Sequence, residues 1–96
     1  MTILHSAAIS KTTLVDASCP RFGSGEGKGE LHESVRGTDL YLLVDVCNHS
    51  LTYSLNGYTN HMSPDDHYQD LKRMIAAVEG KAKRINVIMP FLYEGR

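Results

Sequence analysis

Hydrophobic and polar positions change their spacing several times along the chain, and the changes mark out a series of strands and one helix. Residues 12–19 set Leu14 and Val15 between Thr and Asp, an imperfect alternation that predicts a short strand. Cys19-Pro20 ends it, because proline donates no amide and biases its predecessor toward extended geometry. A glycine-rich loop follows at residues 23–29, and residues 30–33 return as a strand. Arg36-Gly37-Thr38 then turns the chain into its clearest strand, residues 39–46, reading DLYLLVDV. That near-continuous apolar run suits a strand covered on both faces, as in a parallel sheet flanked by helices. Residues 84–90, RINVIMP, give the same pattern in shorter form.

Between these two runs the period lengthens. Leu71, Met74, Ile75 and Val78 fall at i, i+3, i+4 and i+7, which predicts a helix over residues 63–80. Ser63 caps the first free amides, Pro64 suits the first helical position, and Asp65 and Asp66 sit at the positive end of the dipole. Gly80 can close the helix in the left-handed conformation, and Lys72, Arg73, Lys81, Lys83 and Arg84 form a solvated basic group at or past its negative end. Strand, helix and strand over residues 39–90 compose a βαβ unit with a right-handed crossover, so the expected class is α/β with a mostly parallel sheet. Residues 48–62 are polar, interrupted by Leu51, Tyr53 and Leu55, and read as a long loop with a short hairpin at Asn56-Gly57.

With 96 residues the chain builds one small domain, and 42% hydrophobic with 22% charged residues is ordinary globular composition. Ten Lys plus Arg against eleven Asp plus Glu leave a formal charge of -1, which excludes the general basic attraction that binds nucleic acid or anionic membranes. Any phosphate must be held locally. No apolar stretch approaches the roughly 20 residues of a membrane span, and residues 1–10 lack the basic lead and cleavage pattern of a secretion signal. Cys19 and Cys47 show no CxxC spacing and are expected as free thiols on buried strands in a reducing cytoplasm.

Candidate chemistry is sparse. The glycine pattern GxGxGxG fits neither GxGxxG nor the P-loop, so a flexible hairpin is the plain expectation. Beside it, Phe22 offers a ring able to stack on a purine and Glu26 a carboxylate able to accept from an exocyclic amine. His61, Asp65, Asp66 and His67 carry metal-ligand chemistry, but the two acids already serve the helix start, so no metal site and no catalytic nucleophile is assigned.

Taken in order, Arg21-Phe22-Gly23-Ser24-Gly25-Glu26, Glu33-Ser34-Val35-Arg36-Gly37-Thr38-Asp39-Leu40-Tyr41, Leu71-Lys72-Arg73-Met74-Ile75-Ala76-Ala77, residues 83–90 and Tyr93-Glu94-Gly95-Arg96 resemble the N-terminal domain of ribose-phosphate pyrophosphokinase, phosphoribosyl pyrophosphate synthetase. The resemblance implies a partial type I phosphoribosyltransferase-like domain in a cytoplasmic, homo-oligomeric enzyme of nucleotide precursor synthesis. That enzyme transfers pyrophosphate from ATP to ribose 5-phosphate with magnesium. It further implies that Phe22, Ser24 and Glu26 hold the adenine, that Arg96 contacts the ATP phosphates, and that Ser34 and Arg36 belong to a regulatory phosphate site. Ser24 stands where the family usually has Asp or Asn, residues 48–62 are longer than the usual connection, and residues 1–20 are fewer than the family's first strand and helix require, which implies a sheet lacking one edge. On this basis residues 1–96 are expected to be an incomplete first domain without the second, inactive alone and with most magnesium ligands elsewhere. The alternative is a non-catalytic module that pairs with a full-length subunit, and a weaker one is a metal module on His61 and His67.

Overall fold

A computed structural model describes residues 1–8, 11–24 and 26–95. In chain order these form β1 (Thr2–Ala8), β2 (Lys11–Leu14), β3 (Ala17–Ser18), β4 (Glu30–Leu31), β5 (Asp39–Leu43), β6 (Thr52–Leu55), β7 (Tyr58–His61), α1 (Pro64–Val78) and β8 (Arg84–Ile88). The two strongest strand predictions pair as expected: β5 and β8 run parallel, with Leu40 beside Ile85 and Leu42 beside Val87, joined through α1. The main sheet has the order β2-β1-β5-β8.

Three expectations need correction. The sheet is mixed rather than mostly parallel, because β1 pairs antiparallel with both β2 and β5, leaving β5–β8 as its parallel pairing. No element was expected in residues 1–10, yet β1 lies at the sheet's centre beside β5, and the β1–β2 hairpin supplies strands where the resemblance implied a missing edge. The 12–19 segment is two strands, not one: Lys11–Leu14 joins β1, whereas Ala17–Ser18 leaves the main sheet to pair with β4.

A further correction concerns layers. Along β5 burial alternates, with Leu40 and Leu42 fully buried and Leu43 38% exposed, so the strand is covered on one face. That face joins Ile3, Val44, Leu71, Met74 and Val78 in one core. On the other face lie Leu43, its neighbour Ile88 and, beyond Leu4, Leu14, which is 68% exposed. Among the described residues α1 is the only helix, and nothing helical covers this second face.

Local signals explain α1 well. The Ser63 side chain accepts from the Asp66 amide at 3.2 Å, and Asp66 Oδ2 accepts from the Ser63 amide at 2.9 Å, a reciprocal cap with Pro64 leading the helix. At the other end Gly80 takes φ +79, as its position predicted. The basic group differs from expectation, since no basic residue lies in the last turn. Arg73 pairs with Asp70, and the Lys72 ammonium sits 4.6 Å from the Tyr68 ring centre.

Candidate functional site

The loop with the candidate base-contacting residues is held at its neck by main-chain pairing. Arg21 bridges Gly27, the Phe22 amide donates to the Glu26 carbonyl at 2.7 Å, and the Lys28 amide donates to the Pro20 carbonyl at 3.1 Å. The result is an irregular hairpin with Phe22, Ser24 and Glu26 at its exposed end. Phe22 is 53% exposed, an open aromatic face rather than a core residue. The Ser24 hydroxyl donates to Glu26 Oε1 at 3.3 Å and accepts from the Glu26 amide at 3.4 Å, so the two polar side chains act as a unit. The shorter Ser24 thus orients the carboxylate from within the loop.

Beneath the neck is a charged cluster that sequence reasoning missed. Arg21 Nη1 lies 2.8 Å from Asp70 Oδ1, and Arg73 Nη1 lies 2.9 Å from the same oxygen. The Arg21 and Asp70 side chains are only 3% and 9% exposed. Arg21 also donates to the Cys19 carbonyl at 3.1 Å and has its guanidinium carbon 4.8 Å from the Tyr53 ring centre. A signal was present: His67 and Asp70 extend the 71, 74, 78 stripe by helical spacing, and an ionisable group on a core stripe requires a partner. The loop packs directly on this cluster. A Cβ at Gly27 would lie 2.5 Å from Arg73 Nη1, and one at Gly29 would lie 2.7 Å from the Arg73 carbonyl oxygen. Gly29, one of the glycines that suggested a ligand loop, is therefore required by the approach to the main chain of α1, whereas Gly27 faces only arginine side-chain ends.

Residues 48–62 contain the expected hairpin, β6 pairing β7 through Asn56 (φ 51) and Gly57 (φ 83). Its base is closed by histidines. His67 Nε2 donates to the Asn48 carbonyl at 2.6 Å, His61 Nδ1 to the His49 carbonyl at 2.9 Å, and His49 Nδ1 to the Met62 carbonyl at 3.2 Å. Because a carbonyl only accepts, each of these ring nitrogens carries the proton. His61 and His67 thus serve the hairpin, and no group of three His, Cys, Asp or Glu suited to a metal occurs among the described residues.

Ser34 and Arg36 lie together on an exposed turn, with the Arg36 amide donating to Ser34 Oγ at 3.4 Å. They line a depression of about 210 Å³ that also takes Glu33 and Lys81, a second cation absent from the sequence assignment. Arg96 lies outside the described residues. Cys19 is half-buried, and Cys47 is exposed rather than on a buried strand. Burial, and then the Asp70 carboxylate, push the Cys19 thiol up against the opposing pull of Arg21 and Arg73, which keeps it protonated and poorly nucleophilic.

The fold and loop define a small α/β domain that presents an exposed loop on its surface, and among the described residues no helix is long and apolar enough to cross a membrane. The family model for the N-terminal domain of ribose phosphate pyrophosphokinase matches residues 5–96, and the chain belongs to that family. Neither the curated proteins nor the solved structures give a match.

Proposed function

We propose that this chain is the adenine-holding part of an enzyme that transfers pyrophosphate from ATP to ribose 5-phosphate, making phosphoribosyl pyrophosphate for nucleotide synthesis. The observation that supports it most is the loop's exposed end, with Phe22 open for stacking beside the hydrogen-bonded Ser24–Glu26 pair. In this reading Phe22 stacks on the base, Glu26 accepts from the exocyclic amine, Ser24 orients Glu26, and Arg96 reaches the ATP phosphates. Ser34, Arg36 and Lys81 supply a regulatory phosphate site.

Pyrophosphoryl transfer relies on positioning and on cationic stabilisation of developing charge. This chain's share is positioning. Magnesium would arrive on the ATP phosphates; the described residues assemble no carboxylate or imidazole cage for it. In this reading transfer itself needs residues of a second domain, which also hold ribose 5-phosphate.

The test is titration of the chain with ATP and with GTP, followed through the loop amide resonances. Phe22→Ala removes stacking worth about 1 to 3 kcal/mol and should weaken ATP roughly 5- to 150-fold. Glu26→Gln should weaken ATP while sparing GTP, which carries an oxygen in place of that amine. Absence of saturable ATP binding by the unaltered chain refutes the reading. A second reading, a non-catalytic module seated on a full-length subunit in a homo-oligomer, is favoured by the uncovered sheet face with Leu14, Leu43 and Ile88. Co-elution of the chain with full-length enzyme, without ATP binding, would select it.

A further inference from the structure

We propose that the β6–β7 hairpin is a clamp that fixes the conformation of the Phe22–Glu26 loop and so sets its nucleotide affinity, with Asn56 and Tyr53 as its positioning residues. The effect on nucleotide rests on the ATP reading above; the mechanical effect does not.

Two contacts cross from hairpin to loop. Asn56 Nδ2 donates to the Gly23 carbonyl at 3.3 Å, and the Tyr53 ring lies against the Arg21 guanidinium at 4.8 Å. Their placement matters more than their individual strength. The Gly23 carbonyl belongs to the planar peptide joining Gly23 to Ser24, so holding that oxygen fixes the plane between the stacking ring and the polar pair. Tyr53 acts one step earlier, on the arginine whose main chain bridges Gly27 at the neck. At its far end the hairpin is anchored independently of the loop, by His67 on Asn48 and His61 on His49. It therefore meets the loop as a braced element. The turn itself uses Asn56 at φ 51, a conformation asparagine and glycine tolerate.

That tolerance supplies a clean variant. Asn56→Gly keeps the turn and deletes the donor, and Tyr53→Leu deletes the ring face, whereas Tyr53→Phe retains it. Amide exchange at Phe22 and Lys28 reads the clamp without nucleotide, and ATP titration reads its consequence. Asn56→Gly and Tyr53→Leu should each speed exchange at Phe22 and weaken ATP by about 3- to 10-fold, the range of one ordinary contact, while Tyr53→Phe leaves both unchanged. Exchange at α1 amides should not move, which separates a released loop from a destabilised fold. Unchanged Phe22 exchange in both deletion variants overturns the clamp, whatever ATP does. Faster exchange with unaltered ATP affinity also overturns it, because the loop conformation would then not govern binding. Faster exchange in a chain whose unaltered form binds no ATP defeats the nucleotide reading and leaves the hairpin as a structural brace only, overturning the affinity half of the proposal.

Discussion

Replacing Asp70 by Asn should be among the most damaging single-atom changes available to this chain. The substitution keeps shape and one neutral acceptor but removes the negative charge between Arg21, 2.8 Å away, and Arg73, 2.9 Å away. Arg73 is 27% exposed and can turn to water; Arg21, 3% exposed, cannot. Its Nη2 is already buried without a hydrogen-bond partner, so Asp70 is its main compensation. Breaking a buried pair from one side costs about 3 to 5 kcal/mol. The Cys19 carbonyl and Tyr53 ring still face Arg21, which places Asp70→Asn near the lower end, about 3 kcal/mol. Against a total stability of about 5 to 15 kcal/mol, that is a large fraction, and it lowers the melting temperature by roughly 12 to 24 °C. Urea unfolding followed by circular dichroism measures it. Glu30→Gln is the control: Lys28 and Glu30 are 3.7 Å apart but 60% and 38% exposed, and the change should stay within about 0.5 kcal/mol. The double variant Arg21→Met, Asp70→Leu should recover most of the loss, since an apolar pair leaves no charge unpaired. An Asp70→Asn loss below about 1 kcal/mol would refute the reasoning, because Arg21 would then have to be solvated despite its burial.

Gly29→Ala should destabilise the fold by about 1 to 3 kcal/mol in the same unfolding assay, because the new Cβ would meet main-chain atoms of Arg73 and Met74, which cannot rotate aside. Tyr93 donates to Asp65, and this hydrogen bond, with smaller contributions from desolvation and the Asp65 charge, pushes the phenol up to about 12 from 10.0. A raised folded value means the phenol's contribution is complete below pH 10 and is lost as pH rises from 10 toward 12; Tyr93→Phe should flatten stability against pH over that window.

The parts of the fold that announce themselves are those where local chemistry and burial agree. Ser63, Pro64 and Gly80 mark the helix by chemistry that operates within a turn, and Asn56-Gly57 marks the hairpin in the same way. β1 stayed hidden because Ile3 and Leu4 are followed by His5 and Ser6, a weak alternation that becomes a strand through pairing on both sides. The DLYLLVDV run misled in the opposite direction, since apolar residues on both faces do not require cover on both. Ile75 shows the limit of helical spacing: it fits the stripe but is half-buried, whereas His67 and Asp70, excluded as polar, are buried. At the candidate site, Phe22, Ser24 and Glu26 were named from the resemblance, and the structure places them on one exposed loop end. Arg21, Tyr53 and Asn56 were not, because their roles depend on contacts between segments distant in sequence.

The uncovered face of the sheet bears on how such measurements behave in solution. Leu14, Leu43 and Ile88 present apolar area on this face, and among the described strands β8 lies at the sheet's edge, where a strand can template pairing with another chain. Such a surface makes self-association a mass-action partner of folding, so the apparent midpoint of any unfolding curve should drift with protein concentration. Dilution series, rather than single curves, are then the proper baseline for every variant, and a midpoint that converges at low concentration gives the stability of the lone chain.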